Sequence, residues 1–486
     1  MTPRFPFRSG PAPLDAPSRA SSPLPWMAVG AFVLCLVPGR NAAGQSATGV
    51  VLQDASGDRL TYSARAATYV PIFRRALLPG PAGATVKTET AVPVHQYVLL
   101  TVGAVDSPWG TDAVDAELSM WAAGNAVDVD HRSRLDAEIS VASVSHRIGP
   151  GMLKVGRQIQ TAGAARFASF DGVTGTLRTD SGIGATAYGG FTVLPRWSDR
   201  PGYQQLGAAF DTLVEDESAF PEAERSGSWL LGGRLSYARE DLGELGASLH
   251  EQRENDELSR RDLGLDLHLD PLEEAALNVR ALVDLDSSAV SDAVATVDIH
   301  PAEVWDLAVT YRRVTPSLLL SRQSVLSVFS VDRFDELGAG AAVYPMRQWA
   351  LEIEGALNRV ESGDPGYRGE VGVTLRPDGA GRWTLLFDYA RVGEDLNGYH
   401  SLHMAARYHL AHPVSIVGEH YSFLYDRPVR RLGSSNVEGA SLEWQAAEAW
   451  NLLLGGSAVR SPYARLDAQL LLRVVYAADS RDGGRW

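Results

Sequence analysis

The chain has 486 residues, 45% hydrophobic and 21% charged, with 44 Lys+Arg against 59 Asp+Glu and a formal net charge of −15. Phosphate binding needs a basic patch, so an acidic chain of this kind is not expected to take nucleic acid as a partner. A single cysteine, Cys35, excludes a disulfide scaffold and a cysteine-ligated zinc or iron–sulfur centre.

At the N-terminus, Arg4, Arg8 and Arg19 precede an apolar run from Trp26 to Val37, and Ala42, Ala43 and Gly44 follow it. A basic region, an apolar core too short to span a bilayer as a helix, and a small-residue cleavage site predict a signal peptide over 1–44. Residues 45–91 contain Tyr69, Pro71, Phe73 and Pro79 but no clear strand run. They are read as an N-terminal periplasmic or plug-like segment.

From about residue 92 the apolar residues alternate. Over 305–312, Trp305, Leu307, Val309 and Tyr311 share one face, and Asp306, Ala308, Thr310 and Arg312 the other. The same period of two recurs over 229–237, 262–269, 349–358 and 383–389, and it marks strands with one apolar and one polar face. Short turns fall near 149, 180, 242, 271, 302, 346, 380, 412 and 448. Longer polar connections lie between them at 194–226, 316–330, 360–364, 392–397 and 427–434. Short turns alternating with long loops are the wiring of a transmembrane β-barrel, with the short turns toward the periplasm.

Aromatics recur beside the short turns. Trp305, Trp349, Trp383 and Trp450 open strands there, and Tyr237, Tyr344 and Tyr408 close them, as expected of an interfacial girdle. In the last strand, Leu466, Ala468, Leu470, Leu472, Val474 and Tyr476 oppose Arg465, Asp467, Gln469 and Arg473. A terminal amphipathic strand closing on an aromatic resembles the signal read by the outer-membrane barrel assembly machinery. The fold class is therefore all-β. The expectation is a single transmembrane antiparallel β-barrel of about 20 strands (18–22) over 92–477, with a short tail at 478–486.

Three segments carry a family resemblance: Lys154-Val-Gly-Arg-Gln158, Arg166-Phe-Ala-Ser-Phe-Asp-Gly172 and Ala187-Tyr-Gly-Gly190. They resemble a strand pattern of large outer-membrane barrels, with phosphate-selective porins and the alginate-export barrel family the nearest. The resemblance implies a hairpin whose polar residues point into the lumen. Lys154 and Gln158 fit that face. Arg157 and Asp171 fall in the apolar phase instead. Either a bulge re-aims them, or they form a structural pair near the outer rim that orders 161–169, or they are two independent rim charges.

No catalytic signature is present: there is no phosphate-binding loop, no HExxH and no GxSxG elbow, so neither an enzyme nor a cofactor is expected. His400, His403, His409 and His412 are too scattered along a strand to form a metal site. What remains is passage through a polar lumen. The residues expected to line it are Lys154, Gln158, Arg234, Asp266, Arg280, Asp306, Arg312, Glu352, Glu354, Asp388, Arg407, Arg465, Asp467 and Arg473. Asp262 shares their phase. Their charges are mixed, so the alternation leaves ion preference open.

Three readings follow. The first is a porin-like channel for small hydrophilic or charged solutes. The second is a polysaccharide-export barrel working with periplasmic partners. The third is a non-conducting structural barrel of a surface complex, its lumen filled by loops such as the acidic 194–226. All three place the chain in the outer membrane of a diderm bacterium, among lipid and lipopolysaccharide.

Overall fold

The computed structural model describes residues 52–53, 59–77, 87–105, 114–127, 136–161, 163–193, 228–239, 242–272, 274–319, 333–361, 363–378, 381–393, 397–411, 413–429, 431–462 and 466–479. They belong to one compact unit, Leu36–Trp486. The expected signal peptide, the acidic run in 194–226, Arg465, His412 and most of the C-terminal tail lie outside the described residues.

The strands in chain order are β1 (Leu52–Gln53), β2 (Arg59–Leu77), β3 (Lys87–Ala91), β4 (Pro93–Val105), β5 (Val114–Asn125), β6 (Asp136–Ile148), β7 (Gly151–Gln160) and β8 (Ala168–Arg178). They continue as β9 (Ile183–Thr192), β10 (Trp229–Arg239), β11 (Gly243–Glu254), β12 (Glu257–Leu272), β13 (Ala275–Asp284), β14 (Ala289–Ala302), β15 (Trp305–Val314) and β16 (Phe334–Met346). The last are β17 (Trp349–Val360), β18 (Gly366–Leu375), β19 (Trp383–Gly393), β20 (Tyr399–Ala411), β21 (Val414–Val429), β22 (Leu432–Ala447), β23 (Trp450–Arg460) and β24 (Asp467–Asp479).

From β4 to β24 each strand pairs antiparallel with the next. β2 closes the ring by pairing β4 on one side and β24 on the other. Leaving aside the short β1 and β3, the result is a closed barrel of 22 strands. Closure satisfies every edge, which a sheet in lipid requires.

All nine expected short turns are present. They join β6–β7, β8–β9, β10–β11, β12–β13, β14–β15, β16–β17, β18–β19, β20–β21 and β22–β23. The opposite end is less uniform than expected. Asn255 (φ 51°) and Asp256 (φ 62°) make a two-residue turn there, with both residues left-handed as a type I′ turn requires. The connection expected over 427–434 is likewise tight: β21 and β22 stay paired out to Val429 and Leu432.

The N-terminal assignment needs correction. Residues 59–77 are not a plug-like segment but the closing strand β2. One face of β2 carries Ala64, Ala66, Thr68, Val70 and Ile72, so its alternation is muted by small residues. Pro71 interrupts it further. The ladder β2–β3 keeps the register of β2–β4, and the gap between them holds Pro71 and Pro93, which have no N–H to give. Where one strand was expected over 92–123 there are two, β4 and β5, and with β2 the total is 22, at the upper end of the expected 18–22.

Along the barrel the apolar residues form one exposed band. It includes Val144, Leu153, Val155, Leu235, Leu245, Leu265, Val309, Leu357 and Leu470. The polar face is turned inward. Residues 163–167, between β7 and β8, reach β11, β12 and β14 by touching residues of that polar face only, a path that runs inside the ring.

Candidate functional site: an arginine-lined constriction

The site begins with the segments that carry the family resemblance. Gly156, Gly172 and Gly190 stand in one row across β7, β8 and β9. Gly156 has φ +118°, and a Cβ there would strike the Ala142 carbonyl on β6. On Gly172 a Cβ would lie 2.7 Å from Gly190 Cα. Adjacent backbones approach too closely here for any side chain, which is the physical content of the motif.

Arg157 and Asp171 clamp the same strands from outside. Arg157 donates from Nε and Nη2 to the two Asp171 oxygens, both at 2.8 Å, and from Nη1 to the Ile139 carbonyl at 3.0 Å. The pairing register of β7 and β8 is unbroken, so no bulge re-aims them. They are paired on the outward face, and Arg157 ties β6, β7 and β8 together.

Next to this clamp the chain turns into the lumen. Residues Gly163–Ala165 form one turn of 3-10 helix, and Gly163 (φ +61°) and Arg166 (φ 52°) supply the left-handed backbone on either side. The Ala164 amide donates to Ser248 Oγ on β11 at 2.8 Å. A small apolar core seats the loop: Ala165, Ala168, Phe170, Tyr188 and Leu230 are buried together. Phe170, Tyr188 and Leu230 occupy inward positions, where a water-filled barrel would carry polar side chains. Tyr188 also bonds His250 Nδ1 through its hydroxyl at 3.1 Å.

Between this loop and the inner wall lies a cavity of about 690 Å³, lined by Thr161, Gly163, Arg166, Phe167, Arg234, Arg260, Asp266, Arg280 and Leu319. Four of these are arginines, and carboxylates fix all four. Arg234 pairs with Glu244 at 2.8 Å and with Asp266. Arg260 pairs with Asp262 at 2.5 Å. Arg166 and Arg280 share Asp292 at 3.2 and 3.1 Å. Asp262 and Asp292 are each 1% exposed, while Arg280 is 53% exposed. Asp262 and Asp292 thus lie behind Arg166, Arg260 and Arg280, while Asp266, the partner of Arg234, reaches the cavity wall. Burial lowers the proton affinity of Arg166, and crowding by Arg280 and Arg260 lowers it further against the pull of Asp292 and Asp262. An incoming anion would relieve that crowding.

The other expected lining residues are spread around the inner face. Lys154 pairs with Glu117 at 2.9 Å, and Gln158 donates to the Gly172 carbonyl at 3.1 Å. Asp306 pairs with His300 at 2.6 Å, Asp388 with His403 at 2.9 Å, and Arg407 with Glu443 at 2.7 Å. Arg312 stands between Val294 and Glu336 in register. Glu352 and Glu354 stand opposite Gly372 and Glu370 on β18. Asp467 and Arg473 are on β24, and Arg473 reaches Asn451 at 3.5 Å. Of the expected residues only Arg234, Asp266 and Arg280 meet at the constriction. Sequence reasoning missed Arg166 and Arg260. The signal that could have found them is the run of large side chains, Phe170, Tyr188 and Leu230, on a face that should be polar.

No protein-family model matches this chain, and no curated protein is similar to it. Among solved structures, it is similar to Pseudomonas aeruginosa OccK11 (OpdR) at 13% identity and TM-score 0.39, over 90% of this chain and 100% of that one. It is similar to P. aeruginosa OccK3 (OpdO) at 10% identity and TM-score 0.41, over 86% of this chain and 96% of that one. It is also similar to the P pilus usher (PapC) translocation pore at 8% identity and TM-score 0.44, over 86% of this chain and 99% of that one. Identities and scores at this level carry no solute, partner or site residue over to this chain.

Proposed function

We propose that this protein is an outer-membrane, porin-like channel that passes small hydrophilic solutes and favours anions. One observation carries the reading: a cavity of about 690 Å³ lined by four arginines and one carboxylate, Asp266, with Asp262 and Asp292 buried behind three of the arginines. Guanidinium presents planar paired donors that match carboxylate and phosphate oxygens. Carboxylates occupy part of each fork, so a passing anion is held weakly enough to leave, as conduction requires.

The inward loop argues against polymer export, because its apolar seat at Phe170, Tyr188 and Leu230 holds it inside the lumen. The resemblance of 154–190 to phosphate-selective porins agrees with an anionic solute. Of the four arginines, only Arg166 belongs to that stretch.

The test is conductance. The protein refolded in detergent is placed in a planar bilayer under a salt gradient. Discrete current steps are expected, with a reversal potential of the sign set by anion flow. A barrel folded by circular dichroism that passes no current would overturn the channel. Current with cation preference would overturn the anion reading alone.

A further inference from the structure

The two rims of the outward face differ. At the short-turn end it carries aromatic pairs, Trp383 with Tyr408 at 4.4 Å and Trp450 with Tyr476 at 4.9 Å between ring centroids. At the opposite end arginines and carboxylates take the outward phase in four places. The first is the Arg157–Asp171 clamp described above. In the second, Glu251 is held by Arg253 and Arg261, both at 3.0 Å, and Arg253 lies 5.5 Å over the Trp229 ring. In the third, Asp335 accepts from Tyr311 at 2.8 Å, Arg313 at 2.7 Å and Arg333 at 3.1 Å, and exposed Arg359 lies beside it in register. In the fourth, Arg391 grips Asp426 with two bonds of 2.7 Å and lies 5.9 Å over the Tyr367 ring.

These residues are outward by pairing. Arg253 stands opposite Trp229, Glu251 opposite Leu231, Arg313 opposite Ala293, and Arg391 opposite His400, all in the phase of the apolar band. Arg157, Arg253, Arg313 and Arg391 lie near the last residues of β7, β11, β15 and β19, so the four groups form one belt at the long-loop rim. Within it seven arginines accompany five carboxylates, counting Glu361 opposite Arg333. Charge on a lipid-facing surface is costly away from the interface, and a surplus of one sign there needs a counter-charge.

We infer that this belt binds the phosphorylated headgroups of an outer-leaflet glycolipid. The argument is charge complementarity at a defined height. Arginine surplus lies just above an apolar band, where a lipid bearing phosphate on a sugar would place its phosphate. Each guanidinium spends only part of its five N–H groups on its carboxylate, which leaves donors for a second acceptor. The aromatic faces beneath Arg253 and Arg391 hold those two planes in place. The proposal rests on the reading that the apolar band meets lipid.

The experiment uses the full chain in phosphatidylcholine nanodiscs. One set contains bisphosphorylated lipid A, a second its dephosphorylated form, and a third no glycolipid with inorganic phosphate in the buffer. Native mass spectrometry counts the glycolipid retained. Retention of the bisphosphorylated form at about tenfold over the dephosphorylated one is the expected result. The variant R261Q/R333Q/R359Q leaves the clamp and the Arg391–Asp426 pair intact, and its retention is expected to fall several-fold with unchanged circular dichroism. Equal retention of both lipids, or a folded variant that retains as much as the parent, overturns the proposal. Displacement of lipid A by millimolar inorganic phosphate reassigns the belt to free phosphate and also overturns it. Failure to enter glycolipid-free nanodiscs at all would instead defeat the membrane reading on which it rests.

Discussion

Two walls of the lumen use the same residue types to opposite effect. On β10–β14, Asp262 and Asp292 are buried behind Arg166, Arg260 and Arg280, so the surface offered to solute is cationic. On β15–β19, Asp306, Glu336, Glu352, Glu354, Glu370 and Asp388 hold inward positions against Arg312 and Arg368. What separates the walls is the loop at 163–167, which packs on β11, β12 and β14 of the first. It covers the acids and brings Arg166 into the group. Presentation, and not composition, decides the sign a solute meets. In the channel proposed above, a field directed from one wall to the other would orient a dipolar or anionic solute.

Displacing the loop should have the largest effect on this contrast. A Cβ on Gly163 would overlap the Ser248 side chain, and its φ of +61° disfavours any L side chain. G163V should therefore dislodge the loop and raise single-channel conductance about twofold, with loss of anion preference. An unchanged conductance in bilayer recordings would mean that the loop does not set the constriction. Removing one exposed guanidinium comes next. R280Q leaves Asp292 still paired with Arg166 and should cut the anion-to-cation permeability ratio by about half, read from the reversal potential. The smallest effect belongs to the opposite wall. E354Q removes one of several carboxylates and should raise the same ratio by only about 20%. A larger response to E354Q than to R280Q would reverse the assignment of the selective wall.

The sequence made the barrel legible because its outward face repeats. Trp305, Leu307, Val309 and Tyr311 alternate cleanly since every second residue of β15 meets the same apolar surroundings. β2 was hidden because its outward residues are largely alanine and threonine and Pro71 sits among them. The inward phase of Arg234, Asp266 and Arg280 followed from alternation alone. Their convergence did not, because Arg166 comes from a loop and strand periodicity has nothing to say about where a loop folds. Arg157 and Asp171 were visible as a break in phase, and their partnership followed from standing opposite one another on neighbouring strands.

The ring closes where β2 meets β24, with Ser63 paired to Asp479 and Ile72 to Leu470, so the two strands most distant along the chain share one ladder. Until β24 arrives, the growing sheet has two open edges and no enclosed lumen. Its last step must bring together segments separated by nearly the whole chain, the slowest class of contact to form. The seam is therefore the last joint to be made. It is the natural point at which an assembly factor would hold the barrel open until its final strand is in place.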